Sequence, residues 1–213
     1  MVKVLSEYIL SLGQEAYIPN FFCKAYRPVL YIPSKEEVKE LLQKMDIRTS
    51  HNSEQFRLDR ECKILFLLYF CCGLRLSEGR LLKWEHIDLD KGILTVLGSK
   101  GNKDRLVYLP QDSLPVLKNY KELQEMLFPG IDWAFPGKDP HKPVSCSGVE
   151  SSFNRHWAML PVARTVDKHP TPHCLRHAFV VERFNEWMHQ GIDTNTMLPY
   201  LSRYLGHKSP DET

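Results

Sequence analysis

The run Ile64–Cys72 (ILFLLYFCC) closes on Gly73. Its residues are apolar throughout, so a helix built from them has no polar side and must be covered on every face. The run is far too short to cross a bilayer, which takes about 20 apolar residues. It reads as a central, buried helix, ended by a glycine that can take the left-handed turn used at helix C-termini. The rest of the chain has to supply the layers around it.

With 213 residues the chain is long enough to bury a sizeable core. Ser34 and Glu37 form a capping-box pattern, and Val38, Leu41, Leu42 and Met45 fall on one face of the helix that follows. Ser77 reads as the cap of a short helix through Lys83. Gly92–Gly98 and Arg105–Leu109 are β-rich runs on either side of the polar loop 99–104, the pattern of a hairpin. Further helices are expected over 113–128 and 147–160, from a Thr171 cap with Pro172 in the first turn to about Gln190, and from Thr194 to Tyr204 before Gly206. Upstream, Val4, Leu5, Tyr8, Ile9 and Leu12 recur at helical spacing, and Tyr17–Pro33 reads as an extended linker rich in prolines and aromatics. The fold class is therefore mainly α with a small antiparallel β-sheet. The expected division is a tail of a preceding unit over 1–30 and a compact domain over 31–213.

The formal net charge is only +2, but its distribution is uneven. Residues 138–183 hold seven Lys/Arg against four Asp/Glu and five of the nine histidines. A basic surface there suits a polyanion, and a solvated polar face accounts for it equally well. The six cysteines contain no CxxC pair, which reads as reduced thiols of an intracellular protein, several of them buried. The N-terminus lacks the basic-then-apolar profile of a signal peptide. A soluble, cytoplasmic protein with no membrane partner is expected.

The segment HCLRHAF (173–179) carries His173, Arg176 and His177 within five positions. Three explanations compete: a metal site, a phosphate site, and an ordinary polar helix face. His173 and His177 at i, i+4 could offer two imidazoles to zinc, with His169 at the same interval before them. Position 174 is Cys, where a zinc hydrolase needs a carboxylate base, and Pro170 and Pro172 stop His169 from continuing the helix. The phosphate explanation draws on other segments. Arg75 stands between two leucines directly after the buried helix, Lys100 sits at the hairpin tip beside Gly101, and His207 follows Gly206. Arginine clamps two phosphate oxygens at once, and a helix N-terminus favours an anion. Such a set could transfer a phosphoryl group without a metal, the arginines stabilising charge and Lys or His moving protons. Each residue alone also has an ordinary explanation, such as an Arg75–Glu78 ion pair at i, i+3.

Taken together and in order, GLRLSE (73–78), GSKGNKDRLVYLP (98–110), HCLRHAF (173–179) and LGHKS (205–209) resemble the motif boxes of the tyrosine recombinases, also called the phage-integrase family. The resemblance runs from about Tyr31 to the end of the chain, and the four boxes are specific jointly rather than singly. It implies the catalytic-domain fold of the DNA breaking–rejoining type. By resemblance, Arg75 and Arg176 would hold the scissile phosphate and Lys100 would protonate the leaving 5′ oxygen. His173 and His207 would assist proton transfer, and Glu78 would support the site. Lys103, Arg105, Lys142 and Lys168 are outlying candidates for contacts to the DNA backbone. The implied reaction is site-specific DNA strand exchange by transesterification through a 3′-phosphotyrosyl link, with no metal and no cofactor. The implied partner is double-stranded DNA, bound by a homotetramer in a bacterial cytoplasm, at the nucleoid. Residues 1–30 would be the tail of a core-binding domain and a linker.

One departure stands out. The family's nucleophile is a tyrosine downstream of the second histidine, and only KSPDET follows His207 here. Tyr200 and Tyr204 precede His207 and do not match. The expectation is a catalytic domain ending before its nucleophile, inactive and monomeric by itself. Three rivals stay open: a DNA-binding regulator of the same fold without a nucleophile, a type IB topoisomerase, and a zinc hydrolase.

Overall fold

The computed structural model describes residues 8–15, 30–47, 51–99 and 103–206. Seven helices and one small sheet follow in the order α1 (Lys35–Lys44), α2 (Ser53–Cys72), α3 (Leu76–Arg80), β1 (Ile87–Asp88), β2 (Ile93–Ser99), β3 (Lys103–Tyr108), α4 (Leu114–Leu127), α5 (Cys146–Trp157), α6 (His173–His189) and α7 (Thr194–Leu205) among these residues. The strands form one antiparallel sheet in sequence order. A helical turn occupies 8–11. Most of the predicted linker, over 16–29, lies outside the described residues, as does 1–7.

Helix α2 is the centre of the domain. Leu65, Phe66, Leu68, Tyr69 and Cys72 are almost fully buried. It begins well before the apolar run, at Asn52, whose side chain accepts from the Glu54 and Gln55 N–H groups. The polar first half is tied down by other helices. Asp59, 1% exposed, accepts from Ser152 and Arg155 of α5 at 2.6–2.7 Å. Around α2, Phe66 meets Phe153 edge to face at 5.6 Å, and Phe153 stacks on Trp157 at 5.9 Å. Tyr31 closes this aromatic group against Trp157. Helix α1 carries the predicted capping box at Ser34 and Glu37 and buries Val38 and Leu41.

Gly73 ends α2 at φ 64°, the left-handed conformation expected of it. A Cβ at this position would stand 2.6 Å from the Phe179 ring and 2.9 Å from Leu205. Two costs would add in Gly73→Ala, about 1–2 kcal/mol of backbone strain and about 1–3 of overpacking. The expected outcome is a loss of about 2–4 kcal/mol, measured by urea unfolding; a loss below about 1 kcal/mol would show that α2 and α6 are not packed this closely.

Two helix starts differ from expectation. The short helix after Gly73 is capped at Arg75, not Ser77, and ends at Arg80 rather than Lys83. The Glu78 side chain takes the Arg75 N–H at 2.8 Å, which sets the start. The end is set by pairing across the chain. Trp84 N–H donates to Asp132 O and Ala134 N–H to Leu82 O, drawing Lys83 into an extended bridge with Trp133. Helix α6 takes Pro172 as its cap and makes His173 its first residue. Thr171 accepts the Cys174 N–H through its carbonyl, and its hydroxyl faces the Cys174 sulfur. Helix α7 starts on Asp193 and ends on Gly206 in a second left-handed turn. The cysteines at 62, 71, 72, 146 and 174 are all free thiols, Cys146 on the surface. Among the described residues no helix is long and apolar enough to cross a membrane.

Candidate active site

Three chain segments far apart in sequence meet where α2 ends, α6 begins and α7 ends. Arg75 leaves the end of α2 and donates through Nη1 to Glu78 Oε1 at 2.7 Å and through Nη2 to Gly206 O at 2.6 Å. Arg176, one turn into α6, is 3% exposed. It donates to Gly73 O at 2.5 Å and to Leu205 O at 2.8 Å. These carbonyls belong to the last turns of α2 and α7, where no helical N–H remains to satisfy them and the dipole is negative. The two arginines therefore join two helix C-termini. Arg176 Nη1 also stands 3.9 Å from Glu78 Oε2.

A third arginine completes the cluster. Arg105 of β3 grips Glu78 with both terminal nitrogens, at 2.8 and 2.7 Å, with its side chain 10% exposed. From sequence, Arg105 reads as an outlying backbone contact. Strand alternation carried the missed signal. Arg105 lies on the same face as Val107, which is buried, and pairs with buried Val96, while Leu106 and Tyr108 face out. Burial by itself would raise the pKa of Glu78; the hydrogen bonds from Arg105 and from the Arg75 N–H outweigh it and bring the carboxyl down to about 2. Gly206, at φ 69°, has no side chain to collide with the Arg105 and Arg75 tips, which lie 3.2 and 3.3 Å from where a Cβ would be.

His173 lies on the rim, its ring edge to face with His177 at 4.9 Å between centroids. Loss of hydration, then the nearby His177, Arg176 and Arg75, push the His173 pKa down to about 4. The imidazole is thus neutral at neutral pH. His177 is lowered too, first by burial and then by Arg176. Among the described residues no three His, Cys, Asp or Glu side chains gather to hold a metal.

The structure thus brings Arg75, Glu78, Arg176 and Arg105 into one cationic cluster around one carboxylate, with His173 close enough to feel the charges of Arg75, Arg176 and Glu78. Three guanidinium groups facing one carboxylate leave net positive charge for an anion such as a phosphodiester. Lys100 and His207 lie outside the described residues. Lys103 opens β3, with its backbone paired to Ser99. Lys142 is exposed and pairs with Asp139 at 3.4 Å, and Lys168 lies on the exposed loop before α6; neither belongs to this cluster.

Residues 34–213 match the profile described as the phage integrase family. This chain belongs to that family. A putative integrase/recombinase (y4rB) of Sinorhizobium fredii is 29% identical over 97% of this chain and 68% of its own length. The tyrosine recombinase XerC of Alcanivorax borkumensis is 31% identical over 97% of this chain and 62% of its own length. The chain thus spans about two thirds of the length of these curated relatives. Among solved structures, that of the XerH site-specific recombinase bound to its difH substrate superposes with a TM-score of 0.67 at 22% identity, over 98% of this chain and 57% of that one. The fold is that of the tyrosine-recombinase catalytic domain.

Within this phage integrase domain, Glu78 is charged in the folded state well below the usual carboxylate range, so its linkage to folding has a definite sign. Its contribution is fully present above the unfolded pKa of 4.5 and is lost as the pH falls through about 2. Allowing for solvent screening, it amounts to about 2 kcal/mol. The expected result is that wild type and Glu78→Gln differ in unfolding free energy at pH 6 and converge as the pH falls from 4.5 to 2. A constant difference across that range would refute the linkage.

Proposed function

We propose that this chain supplies the phosphate-holding residues of a protein that cleaves and rejoins double-stranded DNA by metal-free transesterification, the nucleophile not being present in this chain. A tyrosine attacks the scissile phosphate, a 3′-phosphotyrosyl link forms, and the 5′ oxygen leaves as a hydroxyl. No tyrosine within residues 1–213 follows His207. Arg75 and Arg176 stabilise the charge that builds on the non-bridging oxygens, in a site already positive before substrate enters. His173, neutral at working pH, accepts or relays a proton, Lys100 protonates the departing 5′ oxygen, and His207 contributes a second imidazole. The phosphotyrosyl link conserves the bond energy, so rejoining needs no nucleotide cofactor. The intact protein acts as a homotetramer on paired DNA sites in a bacterial cytoplasm, with residues 1–30 leading in from a core-binding domain. Lys103, Lys142 and Lys168 are peripheral backbone contacts.

The observation that supports this most is the convergence of Arg75 and Arg176 on the shared ends of α2 and α7, beside one carboxylate and one neutral histidine. Phosphoryl chemistry without a metal needs this concentration of fixed positive charge. The test is covalent trapping. The full gene product is incubated with a nicked suicide duplex carrying the element's end and run on a denaturing gel. A slow protein–DNA band that disappears in Arg75→Ala is the expected result. Salt-sensitive binding with no band would instead identify a regulator that kept the fold without its nucleophile, and relaxation of plectonemic DNA would indicate a topoisomerase.

A further inference from the structure

We infer that Arg105 is a positioning residue of the phosphate site: it takes up two of the four bonds at the Glu78 carboxylate, so that this carboxylate holds the Arg75 guanidinium through a single bond. This deepens the proposed function and rests on it. The Glu78 carboxylate has two oxygens and four close donors. Oε1 accepts from Arg75 Nη1 and Arg105 Nη1, and Oε2 accepts from the Arg75 N–H and Arg105 Nη2. Only Arg105 engages both oxygens with its guanidinium, in the parallel two-bond arrangement that is strongest for this pair. The three arginines differ in exposure. The side chains of Arg105 and Arg176 are 10% and 4% exposed, that of Arg75 21%. Arg75 is the member of the trio best placed to reach an incoming anion, and Arg105 acts on it through Glu78.

The consequence follows from charge and geometry. Without Arg105, the carboxylate keeps its full charge and loses its best partner. Its free lone pairs turn to the guanidinium groups that remain, Arg75 at 2.7 Å and Arg176 at 3.9 Å. Glu78 then competes directly with phosphate for Arg75, and the pocket has one positive charge fewer. Arg105 also lies on β3, opposite Val96 of β2. The same two bonds therefore fasten β3 to α3.

Suppression separates this role from plain structural support. If the harm done by losing Arg105 comes from a carboxylate set loose, removing that charge repairs it. If Arg105 merely holds the fold, a second lesion adds to the first. The experiment titrates the 213-residue chain with inorganic phosphate at low ionic strength and follows the His173 ring resonances, with the amide spectrum as the check on folding. Wild type is expected to show a saturable shift. Arg105→Met is expected to bind at least tenfold more weakly, and the double variant Arg105→Met/Glu78→Gln to return to within about threefold of wild type. Should Arg105→Met not fold, Arg105→Lys makes the same comparison, since lysine keeps the charge but not the two-bond grip. It should bind weakly and be rescued by Glu78→Gln. Wild-type affinity in the single variants, or a double variant no better than the single, overturns the role of Arg105 and leaves the phosphate site standing. A wild-type chain whose His173 does not respond to phosphate overturns the phosphate site itself, and the role of Arg105 with it.

Discussion

Arg176→Ala is expected to lose both the covalent DNA adduct and a large part of the folding free energy. The guanidinium is buried and satisfies the carbonyls of Gly73 and Leu205, which lie at the ends of two different helices. Alanine leaves both acceptors without their donor in a dry site, at about 1–3 kcal/mol each. Glu78 keeps Arg75 and Arg105, so no orphaned carboxylate adds to this. The two together amount to about 2–6 kcal/mol, read from urea unfolding. On the chemical side, removing one fixed donor from a charge-stabilising site costs about a hundred- to a thousandfold in rate, measured as the rate at which the adduct forms. Arg176→Lys separates the two effects. An ammonium restores the charge, but it cannot reach two carbonyls from one planar fork. Lysine should recover part of the stability and little of the rate. An alanine variant as stable as wild type would show that Arg176 does not join the two helix ends.

Trp157→Ala should give the largest purely structural loss. Trp157 is fully buried, stacked on Phe153 and met edge-on by Tyr31. Emptying this volume costs about 3–5 kcal/mol, because the aromatic group around α2 cannot collapse to fill it. For a domain of this size that is about 10 °C in Tm. Trp157→Phe should cost far less than the alanine change. The indole Nε1–H is buried and has no acceptor among the described residues, so phenylalanine removes an unsatisfied donor while keeping most of the ring contact. Thermal unfolding of the two variants side by side checks this. Equal losses would mean that the N–H has a partner or that the packing depends on the indole's second ring.

The features that could be read from the chain alone are those whose causes lie within about four positions. The capping box at Ser34, the stop at Gly73, the hairpin around 99–104 and the stop at Gly206 are local hydrogen-bond and backbone arrangements, and residue type at short spacing determines them. Arg75, Glu78, His173 and Arg176 stand out in the sequence because each lies in a short motif near the start or end of an element; the structure shows that they come together. The Ser77 cap failed because two residues nearby compete for the same turn, and the deciding bond, Glu78 to the Arg75 N–H, depends on a side chain held in place by Arg105. Arg105 reads from the sequence as a strand residue and an outlying backbone contact; its partner Glu78 lies 27 positions away, beyond the reach of any local rule.

Tertiary structure decided what each charge faces. The two carbonyls that Arg176 holds lie 103 and 29 positions away, and the one that Arg75 holds lies 131 positions away. Asp59 reaches Arg155 over 96 positions, which is how the polar half of α2 enters the core. No local rule selects those partners. Packing of α2 against α6, and of α6 against α7, does, because a buried charge must find its partner among whatever groups the fold brings within hydrogen-bond reach.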